Sequence, residues 1–155
     1  MGRRMTTLWE EHIRSVRRIG FDSNALIYFL EGRQPYYEYV AQVVAMLERG
    51  QAKGYVSTIV EMELLVKPMR ERDTAGLDKI ELFLRGQNNL FIRPVDRIVA
   101  RRAADTRART RLSPPDAIIV ATALEERCDA IIGNDSVIAS RATNIPYLYL
   151  DDYIS

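Results

Sequence analysis

The chain has 155 residues, of which 47% are hydrophobic and 28% charged, with a formal net charge of +1, the profile of one globular domain with one core. So small a net charge advertises no polyanion partner through a global field, and no apolar run reaches the roughly 18 residues of a membrane span. A lone cysteine, Cys128, excludes an intrachain disulfide and fits a reducing, cytoplasmic setting.

The N-terminal stretch is basic but has no apolar segment, so it does not read as a signal peptide. Thr7-x-x-Glu10 reads as a capping box opening a helix over 7–17, with Trp9, Ile13 and Val16 on one face. Residues 18–22 form a short strand, 24–30 a helix stopped by Gly32, and 36–49 an amphipathic helix closed at Gly50. A strand over 54–57 precedes a helix over 58–66, which is expected to halt before Pro68. A helix over 73–85 ends at Gly86, and 90–93 is a strand. Helices over 96–109 and 114–127 follow, then strands over 130–133 and 147–150. Cys128 sits where the fourth strand begins and reads as a small core residue. Five short apolar strands separated by helices imply an α/β fold: a central parallel sheet of about five strands with helices on both faces, in three α/β/α layers.

In such sheets binding sites lie beyond the carboxyl ends of the strands. Asp22 ends the first strand and Asp135 follows the fourth. Glu63 lies two turns into the helix leaving the second strand, and Asp116 opens the helix that leads into the fourth. Each has an ordinary structural role open to it: a turn for Asp22, a helix cap for Ser113-Pro-Pro-Asp116, loop polarity for Asp135. Thr58-x-x-Glu61 reads as a capping box, which occupies Glu61 and leaves Glu63 free for the site. Jointly the four say more, because converging carboxylates repel one another and raise one another's pKa unless a cation compensates. All-oxygen ligands suit Mg²⁺ or Mn²⁺, whereas one His and one Cys cannot make a closed nitrogen and sulfur zinc site.

The segments Phe-Asp22-Ser23-Asn24, Ser57-Thr-Ile-Val-x-x-Glu63-Leu-Leu, Ser-Pro-Pro-Asp116-Ala-Ile-Ile-Val-Ala-Thr-Ala and Ile-Ile-Gly-Asn134-Asp135 resemble those of PIN-domain nucleases, and within them VapC-type toxins. The resemblance runs from about residue 18 to Asp152, which divides the chain into an N-terminal helical extension, 1–17, and a PIN-like domain, 18–155. It implies a Mg²⁺- or Mn²⁺-dependent endoribonuclease leaving 5′-phosphate and 3′-hydroxyl ends. Asp22 and Asp116 would be the central metal ligands and catalytic acids, completed by Glu63 and Asp135, with Asn24 and Ser57 as candidate substrate contacts. It also implies an antitoxin protein partner and a homodimer. The family often carries Thr or Ser before Asn-Asp; here Gly133 stands there, so one hydroxyl contact is expected to be missing.

Arginine supplies 19 of the 22 cationic residues. Arg93, Arg97, Arg101, Arg102, Arg107, Arg109 and Arg111 run directly into the Asp116 motif, either as a basic rim for RNA or as a solvated helix face. Tyr36, Tyr37 and Tyr39 suit base stacking or a core, His12 suits the surface, and Trp9 suits an anchor for the first helix. Three other readings stay open: a non-toxin RNA-processing nuclease, a silent scaffold binding RNA or protein, and a phosphoaspartate domain built on Asp22. The last lacks the paired acids that its chemistry uses.

Overall fold

The computed structural model describes residues 2–154, with side chains from residue 7 onward. Its strands are β1 (Arg18–Phe21), β2 (Lys53–Ser57), β3 (Leu90–Arg93), β4 (Ala130–Gly133) and β5 (Tyr147–Tyr149). They form one sheet in the order β3-β2-β1-β4-β5, every neighbouring pair parallel. The helices are α1 (Gly2–Arg14), α2 (Ser23–Glu31), α3 (Tyr36–Glu48), α4 (Thr58–Arg70), α5 (Thr74–Gly86), α6 (Arg97–Thr110), α7 (Pro114–Glu125) and α8 (Ser136–Arg141), and a 3-10 turn covers Leu150–Tyr153.

Strand side chains alternate between the faces, and both faces of the central strands are covered, which is why the strand interiors are mainly apolar. Ile19, Phe21 and Ile132 point into a core shared with Trp9, Leu26 and Leu47. Ile131 points the other way, into a second core with Val120, Ala121 and Leu112. The expected three-layer α/β/α architecture is therefore the observed one. Gly54 shows how close the layers come: a Cβ there would lie 2.8 Å from the Phe21 ring and 2.9 Å from Leu47.

Trp9 of α1 is fully buried in the same core as β1. Its indole N–H donates to the Tyr39 carbonyl at 3.1 Å, and its ring meets Tyr39 and Tyr153 edge-on at 5.7 and 4.8 Å. The anchor role read from the sequence is thus realised. The capping box at Thr7 is not, because α1 begins at Gly2 and Thr7 lies inside it.

Other boundaries also move for physical reasons. Helix α4 does not halt before Pro68 but runs through it to Arg70. Proline costs the helix one amide donor, yet here its ring is buried and its carbonyl accepts from Asp73 N–H at 2.8 Å. Helix α8 was not expected at all, being six residues long and too short to show a period. Leu150 leaves β5 for the closing 3-10 turn. Among the described residues no helix is long and apolar enough to cross a membrane.

Candidate functional site

From β1 the chain proceeds outward through β2 to β3; from β4 it proceeds the other way to β5. The carboxyl ends of β1 and β4 therefore diverge into a crevice, the place where ligands bind in open parallel sheets. Asp22 stands at the end of β1 and Asn134-Asp135 at the end of β4. Helix α4 brings Glu63 to the same edge from β2, and α7 packs against α4 with Asp116 in its first turn.

Asp22 is buried, only 4% exposed, and each of its oxygens has an internal donor. Oδ1 accepts from Ser23 N–H at 2.7 Å, capping α2, and Oδ2 accepts from the Tyr147 hydroxyl at 2.9 Å. Burial raises its pKa to about 6 against the lowering effect of those two bonds, and the charges of Asp135 and Glu63 push the same way. Glu63 is also raised, by burial first and then by Asp116 and Asp135, while the Ser23 hydroxyl opposes. Asp116 is raised by burial and by Asp135, with the Ser113 hydroxyl opposing. The four carboxylates thus share one electrostatic neighbourhood in which Asp135 faces the other three. Among the described residues no Lys or Arg forms an ion pair with any of them.

Proximity is not yet coordination. Among the described residues no three His, Cys, Asp or Glu side chains are drawn up in a metal-holding arrangement. Asp135 instead caps α8, its Oδ1 accepting from the Val137 and Ile138 amides at 2.8 and 3.1 Å. The donor set nonetheless fits a hard divalent ion: four carboxylates, three raised in pKa, and a Glu63 Oε1 that is buried with no hydrogen-bond partner.

The capping box expected to occupy Glu61 does not form. Ser57, not Thr58, caps α4, accepting from Ile59 N–H at 3.1 Å, so no capping box occupies Glu61. Glu63 is distinguished by facing Asp116 and Asp135. Ser57 is 2% exposed, its hydroxyl committed to that cap. Asn24 accepts from the Asn134 amide at 2.9 Å and so ties the ends of β1 and β4 together.

The hydroxyl expected to be lost at Gly133 is present from another source. Tyr147 of β5 reaches across β4, accepts from Asp135 N–H at 3.0 Å and donates to Asp22. Burial and the Asp22 charge raise its pKa, so the phenol keeps its proton. Nothing in the sequence spacing singles out Tyr147; the visible trace was a glycine where a hydroxyl residue is usual.

The arginine stretch divides. Arg93, Arg102 and Arg109 pair with Glu126, Glu125 and Asp105, and Arg107 donates to the Leu112 carbonyl. Arg111, beside the Asp116 motif, is exposed and is joined by exposed Arg141, whose guanidinium donates to the Arg111 carbonyl at 3.1 Å. The tyrosines are mostly structural: Tyr36 stacks on Tyr28 at 4.2 Å, Tyr37 on Phe29 at 5.4 Å, and Tyr39 meets Trp9. His12 lies at the surface with its ring hydrogen-bonded to the Tyr153 hydroxyl. Burial pushes the Cys128 thiol up to about 12, which removes it as a nucleophile.

A family model described as PIN domain matches residues 19–144. Among solved structures, a chain of a toxin–antitoxin complex from Klebsiella pneumoniae is 25% identical with a TM-score of 0.60, over 83% of this chain and 92% of that one. A chain of VapBC2 from Rickettsia felis, bound to a promoter DNA fragment, is 16% identical with a TM-score of 0.66, over 84% and 96%. A chain of VapBC-1 from nontypeable Haemophilus influenzae is 18% identical with a TM-score of 0.66, over 86% and 98%. No curated protein sequence matches.

Proposed function

The chain belongs to the PIN-domain family, whose members are in general nucleases, and from that premise we propose a divalent-metal-dependent endoribonuclease, the toxin of a VapBC-type pair. The observation that carries the reading is the set of four carboxylates sharing one field at the sheet's switch point, with a buried, unpartnered Glu63 oxygen among them.

Asp22, Glu63, Asp116 and Asp135 would hold Mg²⁺ or Mn²⁺. When bound, such an ion supplies Lewis acidity, making water acidic enough to attack a phosphodiester and offsetting charge on its oxygens. The protein's own groups do the rest. Ser23 N–H and the Tyr147 hydroxyl fix the plane of Asp22. A carboxylate not fully engaged by the ion, Glu63 or Asp135, is the group suited to receive the proton of the attacking water. Exposed Arg111 and Arg141, joined by a hydrogen bond and close in sequence to Asp116 and Asp135, are the cations suited to hold the RNA backbone.

An antitoxin partner is supported by the toxin–antitoxin complexes among the structural relatives and by α4 itself. Met62, Val66 and Met69 recur at one-turn spacing on α4 and are 51%, 42% and 59% exposed, an apolar stripe suited to a partner helix. The remaining expectations, a homodimer and a cytoplasmic location, are part of the same proposal.

The test is RNA cleavage by the purified chain with Mg²⁺ or Mn²⁺, compared with Asp116→Asn. We expect a loss of about 100-fold or more, the scale on which a positioned acid or base acts. Mn²⁺ should raise the melting temperature of wild type and leave that of Asp116→Asn unchanged, by linkage. Equal melting shifts, or undiminished cleavage by the variant, would overturn the site.

A further inference from the structure

Gly133 and Tyr147 lie 14 positions apart on neighbouring parallel strands, with β4 register placing Gly133 beside Tyr149. A Cβ at position 133 would overlap the Tyr147 hydroxyl and lie 2.7 Å from the Asp22 Cβ and 2.9 Å from Tyr147 Cζ. The glycine is therefore what admits the phenol. Its φ is not in the left-handed region, so backbone conformation does not account for the missing side chain.

We propose that Gly133 and Tyr147 act as one unit that positions Asp22 against Asp135, resting on the assignment of those acids to the nuclease site. Tyr147 is a positioning residue, not a catalytic one. A phenol has one proton to give, and here it goes to Asp22 Oδ2 at 2.9 Å. The phenol oxygen accepts from the Asp135 amide at 3.0 Å, so a single atom spans the ends of β1 and β4. Ser23 N–H holds the other Asp22 oxygen at 2.7 Å. With one internal donor on each oxygen, the carboxylate cannot rotate freely, and its remaining lone pairs are left for a ligand. Outer-shell groups that orient a metal-binding carboxylate are commonly worth about 10–100-fold in affinity or activity.

The experiment uses the full chain and four proteins: wild type, Tyr147→Phe, Gly133→Ala and the double variant. Mn²⁺ affinity is read by calorimetry, and kcat and KM are read separately on one RNA. Tyr147→Phe should weaken Mn²⁺ binding and lower kcat by about 10-fold or more, with KM for RNA within about twofold, because both hydrogen bonds of the phenol are internal to the protein. Gly133→Ala should be damaging in wild type and less so in the Tyr147→Phe background, since the conflict with the hydroxyl is then removed while the close approaches to Asp22 Cβ and the ring remain. A Tyr147→Phe protein equal to wild type in Mn²⁺ affinity and kcat would overturn the proposal, as would strictly additive losses. A loss confined to melting temperature, with Mn²⁺ affinity and kcat intact, would reduce Tyr147 to a structural role and overturn it too. Should the variants fold poorly, wild type carrying ¹³Cζ-labelled tyrosine decides: Mg²⁺ must shift the Tyr147 resonance, and an unmoved resonance overturns the proposal. Wild type that neither binds Mn²⁺ nor cleaves RNA is a different result; it overturns the nuclease reading, and the proposal with it.

Discussion

At its amino end α7 presents Asp116 to Asp135 and Glu63; at its carboxyl end the following residue, Glu126, meets Arg93 at 2.7 Å and Arg18 at 3.5 Å. Close by, Asp129 accepts from the Arg17 and Arg18 amides at 2.8 and 3.0 Å. The same chemical group is neutralised by the fold at one end and left to repel its neighbours at the other. Glu126 ties α7 to β1 and β3, which accounts for its pairing. Among the described residues the acids at the other end meet only uncharged donors, such as the Tyr147 hydroxyl for Asp22 and the α8 amides for Asp135, so their mutual repulsion is not neutralised.

That contrast can be strained most by pH. Asp22 has a folded pKa of about 6 against an ordinary 3.8, so the fold favours its neutral form. The stabilisation this gives is fully present below about pH 4 and lost as pH rises through 6, a change of about 2–3 kcal/mol. Asp22→Asn, which cannot ionise, should therefore gain on wild type by that amount between pH 4 and 8 without divalent metal, read by urea denaturation. Adding Mg²⁺ at pH 8 should close the gap; a gap that does not depend on pH would break the comparison at its acidic end.

At the paired end the sign reverses. Glu126→Gln should destabilise the chain by about 1–2 kcal/mol, since two arginines lose a partly buried carboxylate. It should leave metal-dependent cleavage unchanged, and a fall in cleavage would show the two ends of α7 to be coupled. Arg109→Ala removes an exposed pair with Asp105 on α6 and should cost less than about 0.5 kcal/mol, read as a denaturant midpoint at unchanged slope.

The layers of the fold were legible because apolar strands and capped helices alternate along the chain. Asp22, Glu63, Asp116 and Asp135 were legible because a parallel sheet brings strand ends to one edge. One helix start was misplaced, at Thr7, and one cap was misassigned, to Thr58 instead of Ser57, because Ser and Thr residues near a helix start are interchangeable in sequence and only the backbone decides which one caps. Tyr147 stayed hidden because its contact with Asp22 spans 125 residues and passes through an absent side chain at Gly133. A missing atom leaves no pattern of hydrophobicity or charge to read.

The pairing of β1 with β4 has a consequence in time. Ile19 lies beside Ala130, so the two strand ends that carry Asp22 and Asp135 are joined only by a contact very distant along the chain. Pairings of that kind form late, after the nearer ones. As the polypeptide leaves the ribosome, β1, β2 and β3 can associate while β4 is still unmade. During that interval Asp22 has neither Tyr147 nor Asp135 beside it. The acidic edge is therefore assembled only once β4 and β5 have been made.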